Sequence, residues 1–105
     1  MLGIMIGMIE FLVRNRDDHG WPSVHRDRLA EVLTPAGWTC EAAPGWGHHR
    51  LRCGDTVVEF SGEPVGWQVS FEGPMPEDEA TRFVAAVVAQ LEREIGEPIE
   101  AIQIS

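Results

Sequence analysis

The sequence predicts an α+β fold in which two helices cover one face of a mainly antiparallel sheet of four to six strands. Apolar and polar residues alternate over several short segments, which is the pattern of strands buried on one side. One segment near the C-terminus repeats apolar residues at helical spacing, and glycines and prolines separate the segments. Because such a sheet and such helices bury their apolar sides against each other, one core is expected.

The first strand and the first helix are predicted before residue 38. Positions 9, 11 and 13 are apolar within the segment 9–13, and the polar run 15–20 ends the strand. Pro22 and Ser23 favour a helix start, with Ser23 as the N-cap. Pro35 and Gly37 end this helix, because proline interrupts the hydrogen-bond ladder and glycine accepts a left-handed conformation. Its core-facing side is predicted to contain Leu29, Val32, Leu33 and Ala36.

Residues 38–71 are predicted to form a meander of antiparallel strands. Gly54 and Asp55 form a tight turn between two of them, and residues 62–66 form a loop before the next. The inward-facing residues of this meander are Leu51, Cys53, Val58, Phe60, Trp67, Val69 and Phe71.

The second helix carries the strongest periodic pattern. Pro76 fits its first turn, where Glu77, Asp78 and Glu79 complement the positive end of the helix dipole. Gly96 ends the helix, and residues 99–105 form a short final strand. The apolar stripe of the helix consists of Ala80, Phe83, Val84, Val87, Leu91 and Ile95.

The predicted element order is β-α-β-β-β-α-β within one domain spanning residues 1–105, with residues 1–7 interpreted as an extension before the first strand. This order is similar to a ferredoxin-like arrangement with an added strand. Such folds host many unrelated functions, so the order by itself predicts none.

The charge of the chain is divided unevenly. Residues 1–53 hold six arginines and six acidic residues, so the net charge of −9 lies wholly in residues 54–105. Nucleic acid and anionic membranes need a basic footprint and are therefore not expected as partners. A basic protein surface fits this charge, although the charge also keeps a protein soluble without any partner.

The two cysteines, Cys40 and Cys53, do not match a secreted disulfide framework and are expected to be free thiols. The apolar N-terminal segment 1–13 contains Glu10 and is shorter than the roughly 20 residues that span a bilayer. We therefore expect a cytoplasmic protein without a targeting segment.

A zinc site is the first chemical hypothesis. Cys40, His48, His49 and Cys53 are residue types that bind zinc, and the cysteines would face each other if they lay on the two arms of one hairpin. Their spacing differs from that of known zinc motifs, so they are weak candidates. We expect no bound metal and no cofactor.

A second hypothesis concerns the loop of Asp17, Asp18 and His19. Two carboxylates and an imidazole could bind a cation or serve as general acid and base. Adjacent residues rarely converge on one substrate atom, however, and such residues are common in solvated turns. Because no nucleophile or phosphate-loop motif is present either, no residue is assigned a catalytic role, and a non-enzymatic protein is favoured.

Trp46 stands between two glycines at the predicted hairpin tip, where it is either an interface anchor or folded back over the sheet. The leading hypothesis is a protein-interaction module of the small-inhibitor or immunity type. Its acidic second half, with Glu77, Asp78 and Glu79, would bind a basic protein surface. The alternatives are a small enzyme or metal-binding domain built on the Asp17–His19 and His48–His49 loops, and a homodimer that pairs through sheet edges.

Overall fold

The computed structural model describes residues 8–45 and 47–105. A 3₁₀ turn at Arg26–Arg28 leads directly into the first helix. In chain order, the strands and α-helices of these residues are β1 (Ile9–Asn15), α1 (Leu29–Leu33), β2 (Glu41–Ala42), β3 (His49–Cys53), β4 (Thr56–Glu63), β5 (Gly66–Glu72), α2 (Glu77–Ile95) and β6 (Ile99–Gln103).

The strands form one antiparallel sheet with the order β2-β3-β4-β5-β1-β6. Without β2 and β3, the remaining β-α-β-β-α-β order and its strand neighbours β4-β5-β1-β6 are those of a ferredoxin-like sheet. The prediction of an α+β fold with an antiparallel sheet is thus confirmed. The addition is a two-stranded hairpin at one edge, so the sheet has one more strand than the predicted order.

The sheet is apolar on the face that the helices cover, which we call the inner face. Aligned inner-face residues are buried across neighbouring strands, as in the row Phe11, Val69 and Phe60. On the other side, Glu10, Ser70 and Glu59 form the equivalent row, and all three are partly exposed. This alternation confirms a sheet that is packed on one side only.

Helix α2 lies against the inner face as its stripe predicts. Its buried residues are Ala80, Phe83, Val84, Val87 and Leu91, and Ile95 is partly buried. Gly96 ends the helix with a left-handed φ of +79°, and its N–H donates to the carbonyl of Glu92 at 2.8 Å. Within the described ranges, no helix is long and apolar enough to span a bilayer.

Helix α1 begins later than predicted, and the assignment of Ser23 as its N-cap is wrong. The N-cap of the 3₁₀ turn is His25, whose Nδ1 accepts a hydrogen bond from the N–H of Asp27 at 3.2 Å. The preceding segment is held by a tertiary contact, because the buried indole N–H of Trp67 donates to the carbonyl of Pro22 at 2.9 Å. Helix α1 also ends before Ala36, which is exposed.

The turn of Gly54 and Asp55 is confirmed, but the predicted loop at 62–66 is wrong. Strand β4 continues to Glu63, which pairs with Gly66 across a two-residue turn. Gly62 makes room for a neighbour, since a Cβ there would lie 2.6 Å from Cζ2 of Trp21. Residues 62–66 resemble a loop in sequence because glycine is common in turns. Glycine also occurs within strands where another group approaches the backbone closely, as Trp21 does here.

The inner-face position of Trp67 gives a stability prediction. Its side chain is 1% exposed, so Trp67→Ala should lower the free energy of unfolding by about 3–5 kcal/mol. Val65→Ala should change it by less than about 0.5 kcal/mol, because Val65 is 55% exposed on the turn. Urea denaturation of both variants measures the difference, and equal effects would contradict the assignment of Trp67 to the core.

Candidate functional site

The two ends of the sheet carry different kinds of side chains, carboxylates at one end and aromatic rings at the other. One end holds the β3–β4 turn, the end of β5 and the start of α2. We call its carboxylates Asp55, Glu72, Glu77, Asp78 and Glu79 the acidic end. The opposite end holds the β1–α1 connection and the β4–β5 turn. We call the ring cluster of Trp21, His48 and Trp67 that lies there the aromatic end.

Two contacts between the β5–α2 connection and the start of β4 build the acidic end. The N–H of Met75 donates to the buried hydroxyl of Thr56 at 3.0 Å. Gly73 adopts a φ of +138°, and a Cβ there would lie 2.6 Å from the carbonyl oxygen of Asp55. These contacts hold Asp55 and Glu72 beside the first turn of α2.

The carboxylates of the acidic end keep most of their charge unpaired. Asp78 forms an exposed ion pair with Arg82 at 3.4 Å, a kind of pair that contributes little energy. Glu79 accepts a hydrogen bond from the indole N–H of Trp38 at 3.2 Å, and Glu77 accepts one from the amide of Gln103. Both donors are neutral, so they orient these carboxylates without neutralising them.

Asp55 and Glu72 are binding candidates that sequence reasoning missed. Both are exposed, and neither forms an ion pair with a described residue. The pairing of β4 with β5 in the predicted meander could have revealed them. This pairing brings the turn at Asp55 next to the end of β5 at Glu72. Only the three consecutive acids of the helix start stood out in the sequence.

The aromatic end is a packed cluster of rings. The ring of Trp21 lies 5.2 Å from that of Trp67 and 5.9 Å from that of His48, and the rings of His48 and Trp67 are 5.7 Å apart. Nδ1 of His48 also accepts a hydrogen bond from the N–H of Gly62 at 2.9 Å. His48 therefore stabilises the fold at the aromatic end. Trp21 belongs to the same cluster and was not among the candidate residues of the sequence.

His48 and His49 both lie opposite Phe60. The N–H of His48 donates to the carbonyl of Phe60 at 2.9 Å, while His49 is the residue paired with Phe60 in the strand register. This two-against-one pairing is a β-bulge. It brings the ring of His48 onto Trp67 and that of His49 to 6.1 Å from Phe60, so both histidines lie over inner-face residues.

Asp17, Asp18 and His19 form a solvent-exposed turn. Oδ1 of Asp18 accepts a hydrogen bond from the N–H of Gly20 at 2.7 Å. His19 has a left-handed φ of +58°, and its N–H donates to the carbonyl of Asn15 at 2.9 Å. The Asp18 carboxylate is therefore used to close the turn, and the three side chains do not form a group that could hold a metal ion.

The prediction of free thiols is wrong, because Cys40 and Cys53 form a disulfide. Their Cα atoms are 4.3 Å apart at the position next to the pair Glu41–Arg52 of the β2–β3 hairpin. Directly opposed residues of an antiparallel pair approach to about this distance. The sequence allows the two cysteines to lie on the two arms of one hairpin, but their spacing alone does not show that they pair.

The disulfide also removes both thiolates from the zinc hypothesis. Nowhere in residues 8–45 and 47–105 do three or more His, Cys, Asp or Glu side chains lie close enough together to hold a metal ion. Trp46, for which the sequence leaves open an interface anchor or a side chain folded back over the sheet, lies outside the described residues.

A cleft of about 340 Å³ separates α1 from the C-terminal half of α2, and its polar groups largely satisfy one another. The guanidinium of Arg28 binds both carboxylate oxygens of Glu94, at 2.9 and 3.1 Å, and also binds Glu31. These contacts raise the pKa of Arg28 and lower that of Glu94. The amide of Gln90 donates to the carbonyls of Val32 and Thr34, so this cleft serves mainly to close the end of α1.

The disulfide gives a prediction about redox dependence. It closes a loop with a sequence separation of 13, so reduction should lower the free energy of unfolding by about 3 kcal/mol through the entropy of the unfolded chain. Urea denaturation with and without dithiothreitol tests this. The Cys40→Ala/Cys53→Ala variant should not respond to the reductant. Two thiols titrating in the denatured, unreduced protein would contradict the bond.

His49 gives a prediction about pH. Partial burial lowers the pKa of its imidazole from the ordinary value of 6.5, because burial disfavours the charged ring. At pH values between the lowered pKa of the folded chain and the ordinary pKa of the unfolded chain, His49 binds a proton in the unfolded chain but not in the folded chain. The free energy of unfolding therefore decreases as the pH is lowered through this range. Urea denaturation between about pH 7.5 and 5.5 should show a smaller fall in His49→Gln than in wild type.

The matched control is His19→Asn, which removes an exposed imidazole from a left-handed position that asparagine tolerates. This variant should keep the wild-type pH dependence. An unchanged pH dependence in His49→Gln would contradict the role of His49.

The two ends therefore differ in what they can do chemically. The aromatic end is occupied by its own packing, whereas the acidic end presents carboxylates to solvent, and of these only Asp78 forms an ion pair within the described residues. Such a surface attracts cationic groups and lacks a nucleophile or a general base held against a second reactive group. Comparison of the chain with protein-family models, with curated proteins and with solved structures finds no match.

Proposed function

We propose that this protein is a non-enzymatic interaction module, in the manner of a small acidic inhibitor or immunity-type protein, and that its acidic end binds a basic protein surface. The observation that carries the proposal is the meeting of Asp55 and Glu72 with the three acids of the α2 start. These five carboxylates come from three separate segments of the chain. Five of the eleven acidic residues of 54–105 thereby lie at one end of the sheet.

The geometry of this surface favours recognition as well as attraction. Glu77 and Glu79 are already held by neutral donors, so less side-chain freedom would be lost when a cationic partner binds them. Asp55 and Glu72 are exposed, and their charges act on the partner during encounter. The positive end of the α2 dipole offsets part of the charge of the helix acids but little of the charge of Asp55 or Glu72.

The enzyme or metal-binding alternative gains no support from the described residues. Asp18 closes a turn, His48 accepts from a backbone N–H, and the two thiols are bonded to each other. The residues that would have carried chemistry are thus used in local structure.

The proposed compartment remains the cytoplasm. The Cys40–Cys53 bond argues against this compartment, because thiols are usually kept reduced there.

Charge reversal at the acidic end tests the proposal. Partners are first captured with wild-type protein from the cells that make it, and association rates are then measured by surface plasmon resonance at several salt concentrations. Asp55→Lys/Glu72→Lys should slow association by about tenfold at low salt and flatten the salt dependence, because these charges steer the encounter. Neither residue belongs to α2, so stability should not change through the helix dipole.

The matched control is Glu63→Lys/Glu97→Lys, which makes the same change in net charge at the opposite end of the sheet. It should slow association much less. Equal slowing by both pairs would mean that net charge alone attracts the partner and would contradict the assignment of the surface. Reversal of Glu77, Asp78 and Glu79 should both slow association and weaken α2, by roughly 0.3–1 kcal/mol per lost dipole contact. An unchanged rate in that variant would make these three acids helix signals only.

A further inference from the structure

Strand β6 is the outermost strand at one edge of the sheet, and some of its backbone groups have no partner among the described residues. Ile102 pairs with Leu12 of β1, and the N–H of Ile104 donates to a β1 carbonyl at 2.9 Å. Hydrogen-bonding groups alternate in direction along a strand, so Ala101 and Gln103 turn their N–H and C=O groups away from β1. No strand in the described part of the chain pairs with this edge.

The two edges of the sheet differ in how they are protected against pairing. The opposite edge strand, β2, has only two residues, begins with the charged Glu41, and is followed closely by Pro44. Short strands, charges and prolines are the usual devices against edge-to-edge association. Strand β6 has five residues, and its charged residue, Glu100, is paired with Arg14 of β1 at 2.7 Å. Pro98 precedes the strand, but residues 101–105 contain neither a charged side chain nor a proline.

Apolar side chains line the open face of the sheet beside β6. Ile102 is 37% exposed, Ile104 is 50% exposed, and Met8, which precedes β1, is 45% exposed. Together they are three of the four exposed large hydrophobic residues in the described ranges. An edge segment without charged side chains next to exposed apolar residues is typical of a surface that another strand covers.

We propose that two copies of this chain pair through β6, antiparallel across a two-fold axis at Ile102. This register places Ala101 opposite Gln103 of the partner subunit and Gln103 opposite the partner's Ala101. The N–H and C=O of each residue then bond to the other strand, which satisfies every outward-facing group of these residues. Ile102 lies opposite the partner's Ile102, in the type of pair that brings side chains closest. The surface is self-complementary, as a two-fold interface must be.

The flank of α2 beside β6 leaves room for the second copy. Glu77 bonds to the side chain of Gln103, and Oε2 of Glu92 accepts from the N–H of Ile99 at 3.0 Å. The helical positions that share this side between them are Thr81, Ala85 and Val88, all with small or medium side chains. The two α2 helices can therefore approach each other above the paired β6 strands.

The expected response to salt distinguishes self-association through β6 from partner binding at the acidic end. Each copy carries a net charge of −9, so electrostatic repulsion opposes self-association and added salt should strengthen it. Binding of a basic partner by the acidic end should weaken with salt. Failure of one proposal therefore leaves the other standing.

Sedimentation velocity of the full chain over a range of concentrations tests the dimer. Wild type should shift from monomer to dimer, and Ile102→Lys should remain monomeric because it places like charges opposite each other at the axis. Val65→Lys is the matched control, since it also replaces an exposed apolar residue by lysine, on the β4–β5 turn that β1 separates from β6, and should dimerise as wild type does. Ala101→Pro removes one outward N–H without touching the β1 ladder and should also weaken the dimer. Circular dichroism confirms that each variant is folded.

Amide hydrogen exchange gives an independent readout of the register. The N–H groups of Ala101 and Gln103 should exchange more slowly as the concentration rises, whereas those of Glu100 and Ile102 should be protected at every concentration through their pairing with β1. A wild-type protein that stays monomeric at about 1 mM, where even a weak dimer would be populated, would overturn the proposal. So would a dimer that persists in folded Ile102→Lys.

Discussion

Phe83 lies in the middle of the apolar stripe of α2, with its ring 5.4 Å from that of Phe71 and 5.3 Å from that of Trp38. The packing of this helix on the sheet is the interaction on which the rest of the structure depends. An antiparallel sheet with one apolar face needs a cover, and each large side chain buried there contributes roughly 2 kcal/mol. Helix α1 has five residues, too few to be stable alone, and the amide of Gln90 on α2 binds the carbonyls at its end.

Because the core takes up the inner face, other surfaces are left for binding. The acidic end depends on the same core, since Thr56 is buried and its hydroxyl fixes the connection that leads into α2. The core thus brings carboxylates of distant segments to the same end of the sheet without using their charges. A binding surface of this kind is only as precise as the packing that supports it.

The added β2–β3 hairpin shows how reactive residue types become structural ones. The hairpin is joined at one end by the Cys40–Cys53 disulfide, and near its other end a bulge brings both histidines over the inner face. Nδ1 of His48 then accepts from the N–H of Gly62, where the indole of Trp21 fills the space of a side chain. Residues that could bind metal in another setting here satisfy backbone groups and fill space.

The sequence by itself determined the fold class, the inner-face residues of the sheet and the extent of α2, because these follow from local periodicity and from helix-ending residues. Tertiary structure decided what depends on pairing between distant segments. The start of α1 was missed because the carbonyl of Pro22 is held by Trp67, and the disulfide was missed because its cysteines meet only through the hairpin register. The three consecutive acids of α2 were visible in the sequence, but Asp55 and Glu72 join them only when β4 pairs with β5. Local patterns report which side of an element is apolar, whereas the meeting of side chains from separate elements depends on strand order, which no local pattern encodes.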